Sequence, residues 1–269
     1  MQKRLNLFSL MCASLILLTG CSQNTNGMSQ MDHSKATNPS PGTGMAAAGG
    51  GTYIDMPIPE NISKLPLFDS TGKQFDLDSL KGKYLVVANF LTSCQEICPM
   101  TSANIRDVGE AIKKSGLSNE ALAMVLSVDA SRDTPIRLAA YKAMYGSDNW
   151  VVASGNEQSL KEIWKFFGAP AKKENFTSAD LKDMPVDWQT GQKNTYDMVH
   201  ADLVLIIDKM GHWRWLDLGA PKTTGNIPQK LKDFLSPQGL QNLTKPEEPT
   251  WSLSAVTSAL TALIGKKIN

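Results

Sequence analysis

The apolar positions of this chain fall into two patterns from about residue 54 onward. Short apolar runs without polar interruption are typical of strands that are buried on both faces. Between them, apolar residues recur at helical spacing, as Ile105, Val108 and Ile112 do, and predict amphipathic helices. The predicted strands cover residues 84–91, 122–128, 150–153, 203–207 and 213–218.

Residues that suit helix ends lie between these strands. Pro99 suits the first turn of a helix, because its ring fixes φ and an N–H has no intrahelical partner there. Gly116 suits the end of the same helix. Thr134 and Asn156 are typical N-capping residues before two further helices. A last helix is expected near Pro228.

The alternation of strands and helices predicts an α/β domain over residues 53–240. A central, mostly parallel sheet with helices on both faces is expected. Residues 203–218 predict a C-terminal hairpin, with its turn at Gly211. The thioredoxin-like fold is the best match to this order. Residues 169–195 are polar and show little periodicity, which predicts an insertion or long loop.

The first twenty residues have the pattern of an export signal. Lys3 and Arg4 precede an apolar stretch over residues 5–18, and Leu-Thr-Gly-Cys follows at 18–21. This ending resembles the lipobox of bacterial lipoproteins, in which the leader is cut before a cysteine that is then acylated, here Cys21. The alternative is a transmembrane anchor, but a span needs about 20 apolar residues. We therefore expect a lipid-anchored protein on the extracytoplasmic side of a cell membrane.

Two segments flank the predicted domain. Residues 21–52 are rich in small polar residues and predict a flexible tether. The tether contains residues that suit Cu(I), which we interpret as coincidence: Met28, Met31, His33 and Met45. Residues 241–269 predict a tail with one short amphipathic helix, too short to span a membrane. It is expected to pack on the domain or to lie at the membrane surface.

Charge and cysteine usage narrow the function. The chain has 269 residues and a formal net charge of +1, which becomes −1 without Lys3 and Arg4. Such a balance does not predict nucleic-acid binding. Of the four cysteines, Cys12 would leave with the leader and Cys21 would carry lipid. The remaining pair, Cys94 and Cys98, is therefore the place where the mature protein can use thiols.

Three kinds of chemistry are open to Cys94 and Cys98. They could form a structural disulfide, which an oxidising compartment favours but which stabilises little across so short a loop. They could act as a redox couple, or they could bind a soft metal ion. Their place before a helix is expected to lower the pKa of a thiol. The loop is one residue longer than in C-x-x-C, which favours opening around an ion.

A metal site needs a further ligand, and histidine is the usual one. His33 lies in the tether, and His212 follows Gly211 and is interpreted as a solvated turn residue. His200 directly precedes the strand at 203–207. Two thiolates and one imidazole would form a trigonal site that suits Cu(I) and can accommodate Cu(II).

Three stretches together resemble the SCO/SenC family of copper-binding, thioredoxin-like proteins. One is Phe-Leu-Thr-Ser-Cys-Gln-Glu-Ile-Cys-Pro at 90–99. The second is Ser-Val-Asp-Ala-Ser-Arg-Asp-Thr-Pro at 127–135. The third is His200, ahead of a strand that ends in Asp208. The resemblance covers about residues 61–235.

The resemblance implies that Cys94, Cys98 and His200 bind copper. It also implies delivery of copper to the binuclear copper centre of cytochrome c oxidase, or preparation of the thiols of that centre. The chain departs from the family at two places. Gln95, Glu96 and Ile97 stand where Pro, Asp and Val or Ile are usual, and Glu96 keeps the acid.

The second departure is beside the histidine. Val199 replaces the usual acid, so the residue that orients His200 is open. Asp197 and Asp202 are the candidate replacements.

The leading hypothesis is a copper metallochaperone without turnover. The alternative is a thiol–disulfide oxidoreductase, which needs Cys94 and Cys98 but not His200. A sensor is a third hypothesis, without positive support in the sequence. Arg132 and Asp133 either form an ion pair where a helix begins or shape the loop beside the site, and we do not interpret them as ligands.

Overall fold

The computed structural model describes residues 45–47, 49–183, 186–222 and 226–268. The strands are β1 Met45–Ala46, β2 Thr52–Pro57, β3 Leu67–Asp69, β4 Gln74–Phe75, β5 Tyr84–Phe90, β6 Ala121–Ser127, β7 Val151–Gly155, β8 Lys172–Asn175, β9 Tyr196–Val199, β10 Leu203–Ile207, β11 His212–Leu218, β12 Ala220–Pro221 and β13 Thr250–Trp251. The helices are α1 Glu60–Ser63, α2 Cys98–Lys114, α3 Pro135–Met144, α4 Glu157–Phe166, α5 Ser178–Asp183, α6 Gln229–Lys232, α7 Pro237–Asn242 and α8 Leu253–Ile264.

The main sheet has the order β1-β2-β11-β10-β5-β6-β7-β3-β4. Strands β5, β6 and β7 are parallel, and β10 runs antiparallel to both β5 and β11. Two parallel strands joined by a helix, beside an antiparallel hairpin, form the thioredoxin-like arrangement β11-β10-β5-β6. The predicted fold class is therefore confirmed.

The sheet is mixed rather than mostly parallel. The short strands β1 to β4 add antiparallel pairs at both edges, and they carry no long apolar run from which the sequence could have predicted them. The centre matches the prediction closely. Residues 85–90 of β5 are all buried, so both faces of this strand are covered. Helix α2 packs on β5 and β6, while α3 and α4 pack on β7.

The predicted helix boundaries rest on the expected capping contacts. Thr134 accepts a hydrogen bond from the Arg137 amide at the start of α3, and Asn156 accepts one from the Ser159 amide at the start of α4. Gly116 follows α2 with a φ of 70°, a conformation that glycine adopts without strain. The helix expected near Pro228 begins there as α6, although it has only 4 residues.

The described residues of both flanking segments contact the domain. Met45–Ala46, within the predicted tether, pairs with β2, and Gly51 packs against the ring of Trp215. At the other end, α8 packs on α2 and β5, with Val256 and Leu260 buried. Cys12, Cys21, Met28, Met31 and His33 lie outside the described residues. Within the described ranges, no helix is long and apolar enough to cross a bilayer.

The polar segment at 169–195 is more ordered than a long loop. Strand β8 pairs antiparallel with β9, and α5 lies between them. Val186 and Lys193 form an isolated bridge further along the segment. Polar strands at a surface lack the apolar run that predicts a buried strand, which explains why the sequence pattern indicated a loop.

Candidate metal centre

The carboxyl end of β5 positions both halves of the candidate centre. Asn89, inside the strand, contacts the ring of His200, and the Leu91 amide just after it lies 3.4 Å from Cys98 Sγ. Asn89 and Leu91, which make these contacts, are only two residues apart in the chain. The predicted cysteines and the predicted histidine are therefore neighbours at this end of the sheet, where open α/β sheets bind ligands.

The two cysteines lie at the start of α2 and are both free thiols. Cys98 is the first helical residue, Pro99 follows it in the first turn, and Cys94 lies in the preceding loop. The amides of Ile97 and Cys98 both donate to Cys94 Sγ at 3.4 Å. The side chains of both cysteines are buried, with Cys94 8% exposed and Cys98 1% exposed.

The pKa of the Cys98 thiol contradicts the expectation for a helix N-terminus. Burial raises this pKa well above its usual range, and the hydrogen bond and charge of Cys94 raise it further. The carboxylate of Asp202 adds to the rise, whereas the Leu91 amide lowers it. Desolvation therefore outweighs the helix dipole at this position. A bound cation would act in the opposite direction, because it stabilises the thiolate.

His200 is 2% exposed and is oriented by the amide of Asn89. The Asn89 Oδ1 accepts from the Leu203 amide at 3.0 Å, which directs its Nδ2 toward His200. That Nδ2 donates to the Ala201 carbonyl at 2.6 Å and lies 3.1 Å from His200 Nδ1. The Nδ1 also lies 3.2 Å from the same carbonyl, so a proton on Nδ1 has an acceptor there.

Of the two acids proposed to orient His200, Asp202 lies beside its ring. Its Oδ1 lies 3.8 Å from His200 Nδ1, and its charge acts on Cys98. Asp197 accepts a hydrogen bond from the Met198 amide at 2.8 Å within β9. Asn89 was not predicted, and its only signal in the sequence is a polar residue inside an apolar run.

The structure does not test the complete ligand set. Cys94 and Cys98 lie together and His200 lies beside them, yet among the described residues no three His, Cys, Asp or Glu side chains are placed to hold a metal ion. The set of Cys94, Cys98 and His200 therefore stays a prediction.

The other histidine with a described position lies away from this centre. His212 begins β11, beyond the opposite end of β10 from His200. It is not a turn residue as predicted, because it pairs with Pro57 of β2 and its Nδ1 lies 2.9 Å from Asp55. It is partly exposed, which agrees with the expected contact with solvent.

Arg132 and Asp133 do not form an ion pair with each other. Arg132 pairs with Asp129 and stacks on the ring of Tyr196, with 3.8 Å from its guanidinium carbon to the ring centre. Asp133 is fully buried and accepts hydrogen bonds from Ser127 Oγ and Thr92 Oγ1 at 2.5 Å. Burial raises the pKa of Asp133 to about 6, although both hydroxyl contacts oppose the rise. Asp133 therefore fits the alternative in which it shapes the loop at the site, because it holds Thr92 at the start of the cysteine loop, residues 92–98.

The segment interpreted as an insertion contacts the cysteine loop directly. Trp188 Nε1 donates to the Thr92 carbonyl at 2.7 Å, and Asn194 Nδ2 donates to the Ser93 carbonyl at 3.2 Å. Arg137 of α3 donates to Thr92 Oγ1 and forms a buried ion pair with Asp187. No local pattern in the sequence indicates these contacts, because they join residues that are 45 to 101 positions apart.

Comparisons with known proteins agree on one family. A sequence model described as SCO1/SenC matches residues 60–235. A SCO1 protein homologue of Bacillus subtilis is 31% identical over 128 residues, 46% of this chain and 65% of the relative. A SCO2-like protein of Rickettsia conorii is 31% identical over 97 residues, 36% of this chain and 46% of the relative. A Stutzerimonas stutzeri protein named as copper-binding is 29% identical over 43% of this chain and 55% of its own length. The chain thus spans about half to two thirds of these curated relatives.

Solved structures of Sco proteins are also similar. Copper-bound ScoI of Bradyrhizobium japonicum is 24% identical, with a TM-score of 0.47, and the match covers 67% of this chain and 99% of that one. Copper-bound ScoI of Arabidopsis thaliana is 18% identical, with a TM-score of 0.46, over 63% and 91%. BsSco, described as a member of the Sco family of cytochrome c oxidase assembly proteins, is 19% identical, with a TM-score of 0.43, over 62% and 85%.

Proposed function

Because the chain belongs to the SCO1/SenC family, we propose that it is a copper metallochaperone. It binds one copper ion through Cys94, Cys98 and His200 and helps to assemble the copper centre of cytochrome c oxidase. The observation that supports the proposal is that two buried thiols and one buried imidazole each lie beside residues 89–91 at the carboxyl end of β5. This donor set suits a soft copper ion.

The described hydrogen bonds support a role for each group in the proposed copper binding. Both thiols lose their protons when they ligate, and the amides that contact their sulfurs stabilise the resulting charge. His200 would ligate through Nε2, with the proton on Nδ1 donated to the Ala201 carbonyl. Asn89 Nδ2 donates to the same carbonyl and so keeps this acceptor in place.

The proposed partner is the copper-bearing subunit of cytochrome c oxidase. Relatives support this, since one is named as copper-binding and one structure is described as an assembly protein of that oxidase. A lipid on Cys21, joined to the domain by the residues before β1, would keep the protein at the extracytoplasmic face of the membrane. Mass spectrometry of the membrane-extracted protein tests the lipid on Cys21.

Copper titration tests the ligand set. The purified protein with reduced thiols is titrated with Cu(I) in competition with a chromophoric chelator, and one copper per chain is expected. His200→Ala should lose more than the ~10- to 100-fold in affinity that removal of a ligand's outer partner costs. His212→Ala is the matched control, because His212 lies beyond the other end of β10. Unchanged stoichiometry and affinity in His200→Ala would exclude His200 as a ligand.

A thiol–disulfide oxidoreductase is the second candidate, favoured by the contact between the two thiols. Cys94 and Cys98 hydrogen-bond to each other, so their sulfurs are near enough to react. In such a reaction the pair becomes a disulfide, and two electrons and two protons pass to a partner disulfide, which becomes two thiols. Redox titration against glutathione tests this activity, which His200→Ala should leave intact. A very low potential without exchange activity would exclude it.

A further inference from the structure

The loop between the two cysteines is held from outside by a segment near the C-terminus. The Ser236 amide donates to the Gln95 carbonyl at 2.9 Å, and helix α7 begins at the next residue. Gln95 directly follows Cys94 and is buried despite its polar side chain. A contact at this carbonyl therefore acts within one residue of the first thiol.

Gly239 makes the approach of α7 to this loop possible. A Cβ on Gly239 would lie 2.1 Å from the Gln95 carbonyl oxygen and 3.1 Å from its carbon. Both atoms belong to the backbone, so no side-chain rotation could relieve such a contact. Gly239 lies within helix α7, where other residues can adopt the same backbone conformation. Glycine is required here because the helix lies so close to the Gln95 carbonyl.

The segment that carries Ser236 and Gly239 is itself fixed in the core. Leu231 and Phe234 are buried just before it, and Leu235 is buried beside Ser236. The Ser236 hydroxyl accepts the Gly239 amide at 3.1 Å, which caps α7 and ties the two contact residues together. A buried and capped segment can resist displacement, as a support for a functional loop must.

We propose that Ser236 and Gly239 position Cys94 and Cys98 for copper binding, and that this inference rests on the proposed function. The three residues between the cysteines set the separation and direction of the two sulfurs. A backbone hydrogen bond to the first of these residues limits both. Ser236 and Gly239 are therefore positioning residues, which act through Gln95 and do not touch the metal.

Gly239→Ala tests the proposal, with Gly109→Ala as the matched control. In both variants the new Cβ meets a backbone carbonyl oxygen, that of Gln95 at 2.1 Å and that of Asn149 at 2.0 Å. Gly109 lies on α2 about 16 Å along the helix from Cys98, so both variants should be less stable but only Gly239→Ala meets the loop between the cysteines. We expect Gly239→Ala to lower Cu(I) affinity about 10- to 100-fold and to shift the midpoint potential of the cysteine pair. Gly109→Ala should change neither.

The outcomes separate this proposal from the proposed function. Equal losses of copper affinity in both variants, or an unchanged potential in Gly239→Ala, would overturn the positioning role. Failure of the unmodified protein to bind copper would overturn the proposed function, and the shift in potential would still decide the role of Gly239.

A measurement on the unmodified protein decides the matter if Gly239→Ala does not fold. Coupling between two sites is reciprocal, so disulfide formation by Cys94 and Cys98 must change hydrogen exchange at the Ser236 amide. The Ala255 amide, which donates to Ser252 Oγ at the start of α8, is the control. Equal exchange at Ser236 in the reduced and oxidised protein would overturn the proposal.

Discussion

The two halves of the candidate centre are held by the fold in different ways. The cysteine loop, residues 92–98, receives hydrogen bonds from Trp188, from Asn194 and from Ser236, which lie far from it in the sequence. His200 is oriented at Nδ1 by Asn89 of β5 and by the carbonyl of its own neighbour. Both halves thus depend on long-range contacts, but those of the loop come from several separate segments, whereas the described long-range contact of His200 comes from the end of one strand, β5.

This difference indicates which half keeps its position without a metal. A loop that is tied to several separate elements is expected to keep its position, because each contact limits the same few residues. We therefore expect the cysteines to be preorganised for metal binding.

Among the substitutions proposed, Arg137→Ala should destabilise the cysteine half most. Arg137→Ala leaves Asp187 buried without its partner and removes a donor to Thr92, so we expect a loss of about 3–5 kcal/mol in the free energy of unfolding. Lys142→Ala on the same helix is the control, because its pair with Asp148 is 3.9 Å long and the Asp148 side chain is fully exposed. That variant should lose about 1 kcal/mol or less in urea unfolding. Equal losses would mean that the buried pair does not fix the segment.

Asp133 should make the stability of the cysteine half depend on pH. Its pKa of about 6 lies above the ordinary 3.8, so the folded protein holds this proton more tightly than the unfolded chain does. Its contribution is fully present below about pH 4 and is lost as pH rises through about 6, by about 3 kcal/mol in all. Asp133→Asn removes this dependence, so its stability relative to the unmodified protein should rise between these pH values. A constant difference in urea unfolding would contradict the pKa.

On the histidine half, Asn89→Ala tests whether one amide orients the ligand. Loss of the amide removes the contacts to His200 Nδ1 and to the Ala201 carbonyl, and we expect Cu(I) affinity to fall about 10- to 100-fold. Asn156→Ala is the control for stability alone, since it removes the N-cap of α4 at about 1 kcal/mol. Chelator competition should show an effect in Asn89→Ala only. A similar affinity in both variants would mean that His200 is held without Asn89.

The sequence predicted those parts of the fold and of the site whose signal lies within a few neighbouring residues. Strands β5, β6 and β10 were predicted because a buried strand is a local apolar run, and α3 was predicted because Thr134 and Pro135 are adjacent. The pair Cys94 and Cys98 was likewise a local motif.

The supports of the site could not be predicted in this way. Trp188, Asn194 and Ser236 reach the cysteine loop only after the chain has folded back on itself, and no spacing in the sequence records that contact. Gly239 looks like any glycine near a helix until the distance to the Gln95 carbonyl is known. The sequence therefore indicates which atoms react, while the structure indicates what holds them.

Asp202 lies beside both halves of the centre, so its substitution shows which half its carboxylate acts on. Its carboxylate raises the pKa of the Cys98 thiol, although burial and Cys94 raise it more. Asp202→Asn should therefore increase the alkylation rate of Cys98 at neutral pH, by less than the tenfold that corresponds to one pKa unit. Asp197→Asn is the control, because that side chain contacts the Met198 amide within β9. An unchanged alkylation rate together with a lower copper affinity in Asp202→Asn would assign the carboxylate to His200, 3.8 Å away, and so to the histidine half of the centre.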